Sequence, residues 1–133
     1  MTCILDSNII SYILKEDQAV KKRFYAETKA GCDFVMAPCV YYEVQRGLLA
    51  KRMDKKLAVF DKLCRDMGVG RFDTQVWRKS AQIHADLTRR GKIIPDGDIF
   101  LASFCILNDY LLVTHDKNHF ERIDGLEFVD WKE

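Results

Sequence analysis

The sequence predicts an α/β sandwich with a mainly parallel sheet of four to five short strands, formed by residues 1–133 as a single domain. Three observations carry this. Short apolar runs of strand length alternate along the chain with longer stretches of helical periodicity, the pattern of βαβ units. Residues 94–116 read as a helix starting near Asp96, apolar almost throughout from Ile99 to Leu107, followed by the apolar run 110–114. A helix without a polar stripe and a strand without alternation both belong in a covered interior. Finally, 133 residues at 48% hydrophobic content supply one core and leave no room for a second domain.

Taken in order, Thr2, Cys3, Ile4 and Leu5 form a first strand ending at Asp6, and Ser7 or Asn8 caps a helix that begins at Ile9. Residues 18–29 are an amphipathic helix, with Ala19, Val20, Phe24 and Tyr25 inward and Lys21, Lys22 and Arg23 in solvent. Phe34, Val35 and Met36 make a second strand, closed by Ala37 and Pro38. The next helix starts near Cys39 and runs to Leu49 or Arg52, with Val40, Tyr41, Val44, Leu48 and Leu49 apolar and Glu43 in its first turns. Another spans residues 54–67, with Leu57, Val59, Phe60, Leu63 and Cys64 inward; Lys51, Arg52, Lys55 and Lys56 make a basic turn between the two.

Gly68 and Gly70 punctuate the chain, and Val69, Arg71 and Phe72 suggest an edge strand. Asp73 or Thr74 caps a long helix to Arg90, ended by Gly91, with Val76, Trp77, Ala81, Ile83, His84 and Leu87 on its inner side. His84 has no second His or Cys at ligand spacing and reads as a polar-edge histidine. Pro95 preorganises the central helix, and the dipole favours Asp96 and Asp98 in its first turn. The following strand ends at His115 and Asp116; residues 117–122 are a short helix or turn, and 126–129 a last strand.

Composition narrows the function classes. A formal net charge of +1 means that any nucleic-acid role needs a local basic patch. Five scattered cysteines without a CxxC pair read as reduced thiols used as small hydrophobes. There is no signal-peptide pattern and no apolar run of membrane length, so a soluble, cytoplasmic protein that does not engage a membrane is expected.

The chemistry lies in the acids. Asp6, Glu43, Asp98 and Asp116 come from four elements, each near a strand end or a helix start, and Asp96 adds a fifth. Ligand sites in open α/β sheets lie outside the carboxyl ends of the strands. Singly each is ordinary, Asp6 as a helix cap and Glu43 as a surface residue. Converging, they repel one another unless a cation stands among them. A carboxylate set without His or Cys selects hard ions, Mg²⁺ or Mn²⁺, over zinc, and such ions serve phosphate chemistry.

These residues also carry a family resemblance. The opening ILDSNIIS (residues 4–11) resembles the LLDTNIIS start of PIN-domain ribonucleases, with Ser7 for the usual Thr. Glu43-Val44-Gln45-Arg46-Gly47 resembles their Glu-(Leu/Val)-x-x-Gly motif, and Asp98 to Ser103 resembles D-x-x-I-A-A. Val113-Thr114-His115-Asp116 with Phe120 resembles V-T-x-(Asp/Asn)-x-x-x-Phe, and the closing GLEFVDW has the look of VapC-type toxins of bacterial toxin–antitoxin pairs. Four motifs in register span nearly the whole chain.

The resemblance implies a PIN-like α/β/α sandwich and a Mg²⁺- or Mn²⁺-dependent endoribonuclease that leaves a 5′-phosphate and a 3′-hydroxyl. It makes Asp6 and Asp98 the principal metal ligands, with Glu43 and Asp116 completing the pocket directly or through water. Asp96 becomes an accessory acid, and Asn8 and Thr114 orient carboxylates. Lys51, Arg52, Lys55, Lys56 and Lys117 are candidates to hold RNA, with tRNA or rRNA among the substrates. A cognate VapB-like antitoxin and a homodimer are the implied partners. A PIN nuclease of RNA processing, or a PIN-like module without catalysis, is the alternative. A phosphorelay receiver or a haloacid-dehalogenase-like phosphatase needs a further acid just after the first strand, where this chain has Ser7 and Asn8.

Overall fold

A computed structural model describes residues 1–132. The elements are β1 (Thr2–Leu5), α1 (Ser7–Leu14), α2 (Gln18–Lys29), β2 (Asp33–Phe34), α3 (Pro38–Ala50), α4 (Asp54–Met67), α5 (Thr74–Arg89), α6 (Asp96–Asn108), β3 (Leu111–Val113), α7 (Lys117–Phe120) and β4 (Phe128–Val129). The four strands form one sheet in the order β2-β1-β3-β4, parallel at every pairing. Parallel strands need covered faces, and the helices provide the cover: α5 packs on α6, α3 on α4 and α6, and α1 on α2, α3 and α4.

The register of the central strands sets the floor of the site. Leu5 lies opposite Val113, and the Asp6 amide donates to the Val113 carbonyl at 2.9 Å. The first residues beyond the two central strands, Asp6 and Thr114, therefore emerge side by side. The chain leaves β1 toward β2 on one side and reaches β3 on the other, which is the kind of switch point where open sheets leave a crevice. Ile4, Leu112 and Val113 are fully buried beneath it.

The structure departs from the sequence reading at definite places. The expected edge strand near Val69 is reduced to a single parallel bridge between Met36 and Val69. A Cβ on Gly70 would stand 2.7 Å from Cζ of Phe104, so the chain passes the α6 side chains closely there and glycine fits the space. The second strand is Asp33–Phe34, and Met36 instead exchanges backbone hydrogen bonds with Gly68 and Gly70. Neither Ser7 nor Asn8 caps the first helix; α1 begins at Ser7 and Asp6 is its cap, accepting from the Ser7 amide at 2.7 Å.

The helices also bury narrower stripes than expected. Ala19, Tyr25, Leu49, Val59, Trp77, Ala81 and His84 are exposed. In α5 the buried set is Val76, Ser80, Ile83 and Leu87, a single i, i+4, i+7, i+11 row against α6. Trp77, one residue off that row, meets Phe72 and Phe100 edge to face. Leu107 at the end of α6 is likewise exposed, while Ile99 and residues 101–105 are buried. All five cysteines are free thiols. Among the described residues no helix is long and apolar enough to cross a membrane.

Candidate metal centre and nucleic-acid groove

Asp6 is almost wholly buried, at 4% exposure, where β1 passes into α1. Its carboxylate accepts from the Ser7 amide at 2.7 Å and from the Thr114 hydroxyl at 2.8 Å. Burial pushes its pKa up to about 6 from 3.8, against those two hydrogen bonds, and the charges of Asp98 and Glu43 push the same way. Helix cap and pocket acid are thus one position: the same turn that needs a capping oxygen aims the carboxylate at the sheet edge.

Thr114 is fully buried, and besides donating to Asp6 its Oγ1 accepts from the Asp116 amide at 3.0 Å. One hydroxyl therefore ties the acid that follows β1 to the acid that caps α7. Asn8 Oδ1 accepts from the His115 amide at 3.2 Å, and its Nδ2 reaches Thr114 Oγ1 at a long 3.5 Å. These bonds join the start of α1 to the end of β3.

Asp98 enters from the first turn of α6. Its pKa is raised by burial, opposed by a hydrogen bond and charge interaction with His119, and raised further by Asp116 and Glu43. Asp116 is the N-cap of α7 and accepts from the His119 amide at 3.4 Å. A one-turn helix cannot hold itself. Phe120, fully buried, anchors it, and burying a side chain of that size contributes roughly 1.5–3 kcal/mol. Glu43 is exposed on α3 and lines a groove with Ser7 and Asn8, and its charge acts on Asp6 and Asp98. Asp96 is exposed at the start of α6, outside the Asp98–Asp116–His119 group.

His119 was missed by reading the sequence. Its Nδ1 lies 2.8 Å from Asp98 Oδ2 and 2.8 Å from Asp116 Oδ2. One ligand atom from each of these three residues falls within 4.8 Å of the others. The signal available in the sequence was the i, i+3 spacing of Asp116 and His119, which places both on one face of a helical turn. A donor set of convergent carboxylates with one imidazole fits a divalent cation.

A groove of about 380 Å³ runs from Ser7, Asn8 and Glu43 along Ser11 and Gly47 to Lys15, Lys51 and Lys56. This divides the predicted basic set. Lys51 and Lys56 line the groove together with Lys15, which the sequence reading passed over. Lys55 lines an adjoining depression with Lys21 and Val59, and Arg52 is exposed in a left-handed conformation (φ 51°) beyond α3. Lys117 is half-buried at the first position of α7.

Comparison with known proteins agrees with this architecture. The chain is similar to the tRNA(fMet)-specific endonuclease VapC of Salmonella typhimurium, 27% identical over 130 residues, covering 96% of each protein. It is 23% identical to ribonuclease VapC1 of Haemophilus influenzae over 132 residues, 98% of each. A crystal structure of VapBC2 from Rickettsia felis, bound to a DNA fragment from their promoter, superposes with a TM-score of 0.89 at 22% identity, covering 98% of this chain and 99% of that one. The family model described as PIN domain matches residues 3–126, a span that includes every acid of the pocket and all of the sheet except Thr2 and β4. By that match, the chain belongs to the PIN-domain family.

Proposed function

We propose that the protein is a divalent-cation-dependent endoribonuclease of the VapC kind, a toxin that hydrolyses RNA phosphodiester bonds and is silenced by a VapB-like antitoxin. The observation that carries this reading is the convergence of Asp98, Asp116 and His119, whose ligand atoms lie within 4.8 Å of one another, together with the tie of Asp6 to Asp116 through the Thr114 hydroxyl. The charge of Glu43 on α3 also acts on Asp6 and Asp98. The names of the relatives, endonuclease and ribonuclease VapC, support the chemistry, and the VapBC complexes among similar structures support the partner.

Asp6, Asp98 and Asp116 are the residues that would hold Mg²⁺ or Mn²⁺, with Glu43 completing the pocket directly or through water. When bound, such an ion supplies positive charge against the phosphate and lowers the pKa of water. The chain does the rest. Thr114 fixes the rotamer of Asp6 and the backbone of Asp116 together, and Asn8 braces that junction. Lys15, Lys51 and Lys56 offset the charge of the RNA backbone along the groove, so that a phosphodiester is led past Glu43 to the acids. Asp96 stands at the approach as an accessory acid. The protein acts as a homodimer, which sedimentation measures.

Asp98→Asn should abolish Mg²⁺-dependent cleavage of a mixed RNA substrate, with wild-type products carrying 5′-phosphate ends. Its stability in EDTA should hold or rise, because repulsion with Asp116 and Glu43 is relieved. Cleavage by the variant at the wild-type rate would remove Asp98 from the reaction. A small gene for a DNA-binding protein beside this one separates a toxin from a processing nuclease.

A further inference from the structure

If the pocket is a divalent-cation site, as proposed above, its donor atoms also set which ion it prefers. His119 Nδ1 stands 2.8 Å from a carboxylate oxygen on each of two acids. An imidazole nitrogen carries at most one proton, directed along one line in the ring plane, so it cannot make two good hydrogen bonds at once. Three ligand atoms within 4.8 Å of one another instead match the coordination shell of an ion. Ligands at about 2.1 Å from a six-coordinate centre leave neighbouring donors roughly 3 Å apart. The backbone at His119 is also held in place, its amide donating to Asp116 Oδ1 and its neighbour Phe120 fully buried.

We propose that His119 Nδ1 binds the cation directly beside Asp98 and Asp116, and that this nitrogen biases the site toward Mn²⁺ over Mg²⁺. Mg²⁺ takes oxygen ligands almost exclusively, whereas first-row transition ions accept imidazole readily. An acidic pocket of oxygen atoms alone gives little basis for choosing between the two ions; one nitrogen at its centre gives a basis. The other two histidines are placed elsewhere. His84 is exposed on α5, and His115 Nδ1 is engaged with Asp130 at 2.8 Å.

The test uses the full chain, stripped with EDTA and loaded with Mn²⁺ alone. Electron spin-echo envelope modulation detects a nitrogen bonded directly to Mn²⁺ and should find one in the wild type. His119→Gln, with an oxygen in place of the nitrogen, should lose that signal, while His115→Gln and His84→Gln keep it. Calorimetric titration should show Mn²⁺ binding weakened by about 10-fold or more in His119→Gln, with Mg²⁺ binding changed by less than about 3-fold. Bound Mn²⁺ without nitrogen coupling in the wild type overturns the proposal, as does coupling that survives His119→Gln, equal loss for the two ions, or no Mn²⁺ binding at all. The wild-type spectrum decides even where a variant folds poorly. RNA cleavage is scored separately: a protein with the coupling but no cleavage keeps this ligand and loses the nuclease reading, and one that cuts RNA without the coupling does the reverse.

Discussion

Asp6 shows how one carboxylate can serve the fold and the site while opposing its own ionisation. Its folded pKa of about 6 stands above the reference value of 3.8, so the folded protein binds this proton more tightly than the unfolded chain. Stability from this group is therefore greatest below about pH 4, falls as pH rises from there to about 6, and stays low above. For a buried carboxyl, that rise in pKa corresponds to a loss on the order of 3 kcal/mol between those limits. Asp6→Asn removes the titration but keeps a carbonyl oxygen for the Ser7 amide. Urea unfolding in EDTA should show the variant gaining on wild type between about pH 4 and pH 7. A constant difference between the two proteins across that range would mean that Asp6 is not held uncharged by burial. The acid itself was plain in the sequence, from its place after a short apolar strand. That the same residue is the cap of α1 was one reading among three, because Ser7 and Asn8 are equally good capping types.

Elements position these residues, and two contacts between elements carry predictions. Where α5 crosses α6, the Ser80 hydroxyl donates to Ser103 Oγ at 2.9 Å, and Ser103 donates to the Ile99 carbonyl at 2.9 Å. Both serines are buried, and this bond sits one turn from Asp98. Ser80→Ala and Ser103→Ala should each cost about 1 kcal/mol, and the double variant less than their sum, with a coupling of roughly 0.5–1 kcal/mol. Full additivity in denaturant melts would show that the pair does not bridge the helices. The second contact is the groove beside α3 and α4. Replacing Lys51 and Lys56 by Ala should flatten the dependence of log K for RNA on log salt by roughly 1 to 2 units, while Arg52→Ala, outside the groove, leaves the slope in place. Equal effects from both changes would detach the groove from RNA binding. Periodicity located every one of these helices but misjudged their faces at Leu49, Val59 and Trp77, since a helix covered along one row leaves its flanking apolar residues in solvent.

At the scale of the molecule, the all-parallel sheet gathers acids that are far apart in sequence into one negatively charged mouth. An inhibitory partner has to meet that charge. An uncharged plug would desolvate the carboxylates without pairing them, which is costly, whereas a guanidinium could bridge two of them. A VapB-like antitoxin should therefore place an Arg or Lys in the pocket and compete with Mn²⁺. Inhibition measured at rising Mn²⁺ should weaken, and changing that basic residue to Ala should raise the inhibitory concentration by about 10-fold or more. Inhibition indifferent to both would point to steric occlusion of the groove.

Sequence alone determined the alternation of strands and helices, the placement of Asp6, Asp98 and Asp116 at element ends with Glu43 inside helix α3, and the family motifs. These are local properties, written in apolar periodicity and in the residue types that start and stop elements. Tertiary structure alone decided that the possible edge strand near Val69 is only a bridge to Met36, since pairing depends on which segments the fold brings side by side. It decided which lysines face the groove, since that depends on how α1, α3 and α4 pack. It also brought His119 to Asp98, twenty-one residues earlier in the chain. The nitrogen reaches that carboxylate because α7, anchored by buried Phe120, packs on α6, a contact between elements that no local pattern of residues encodes.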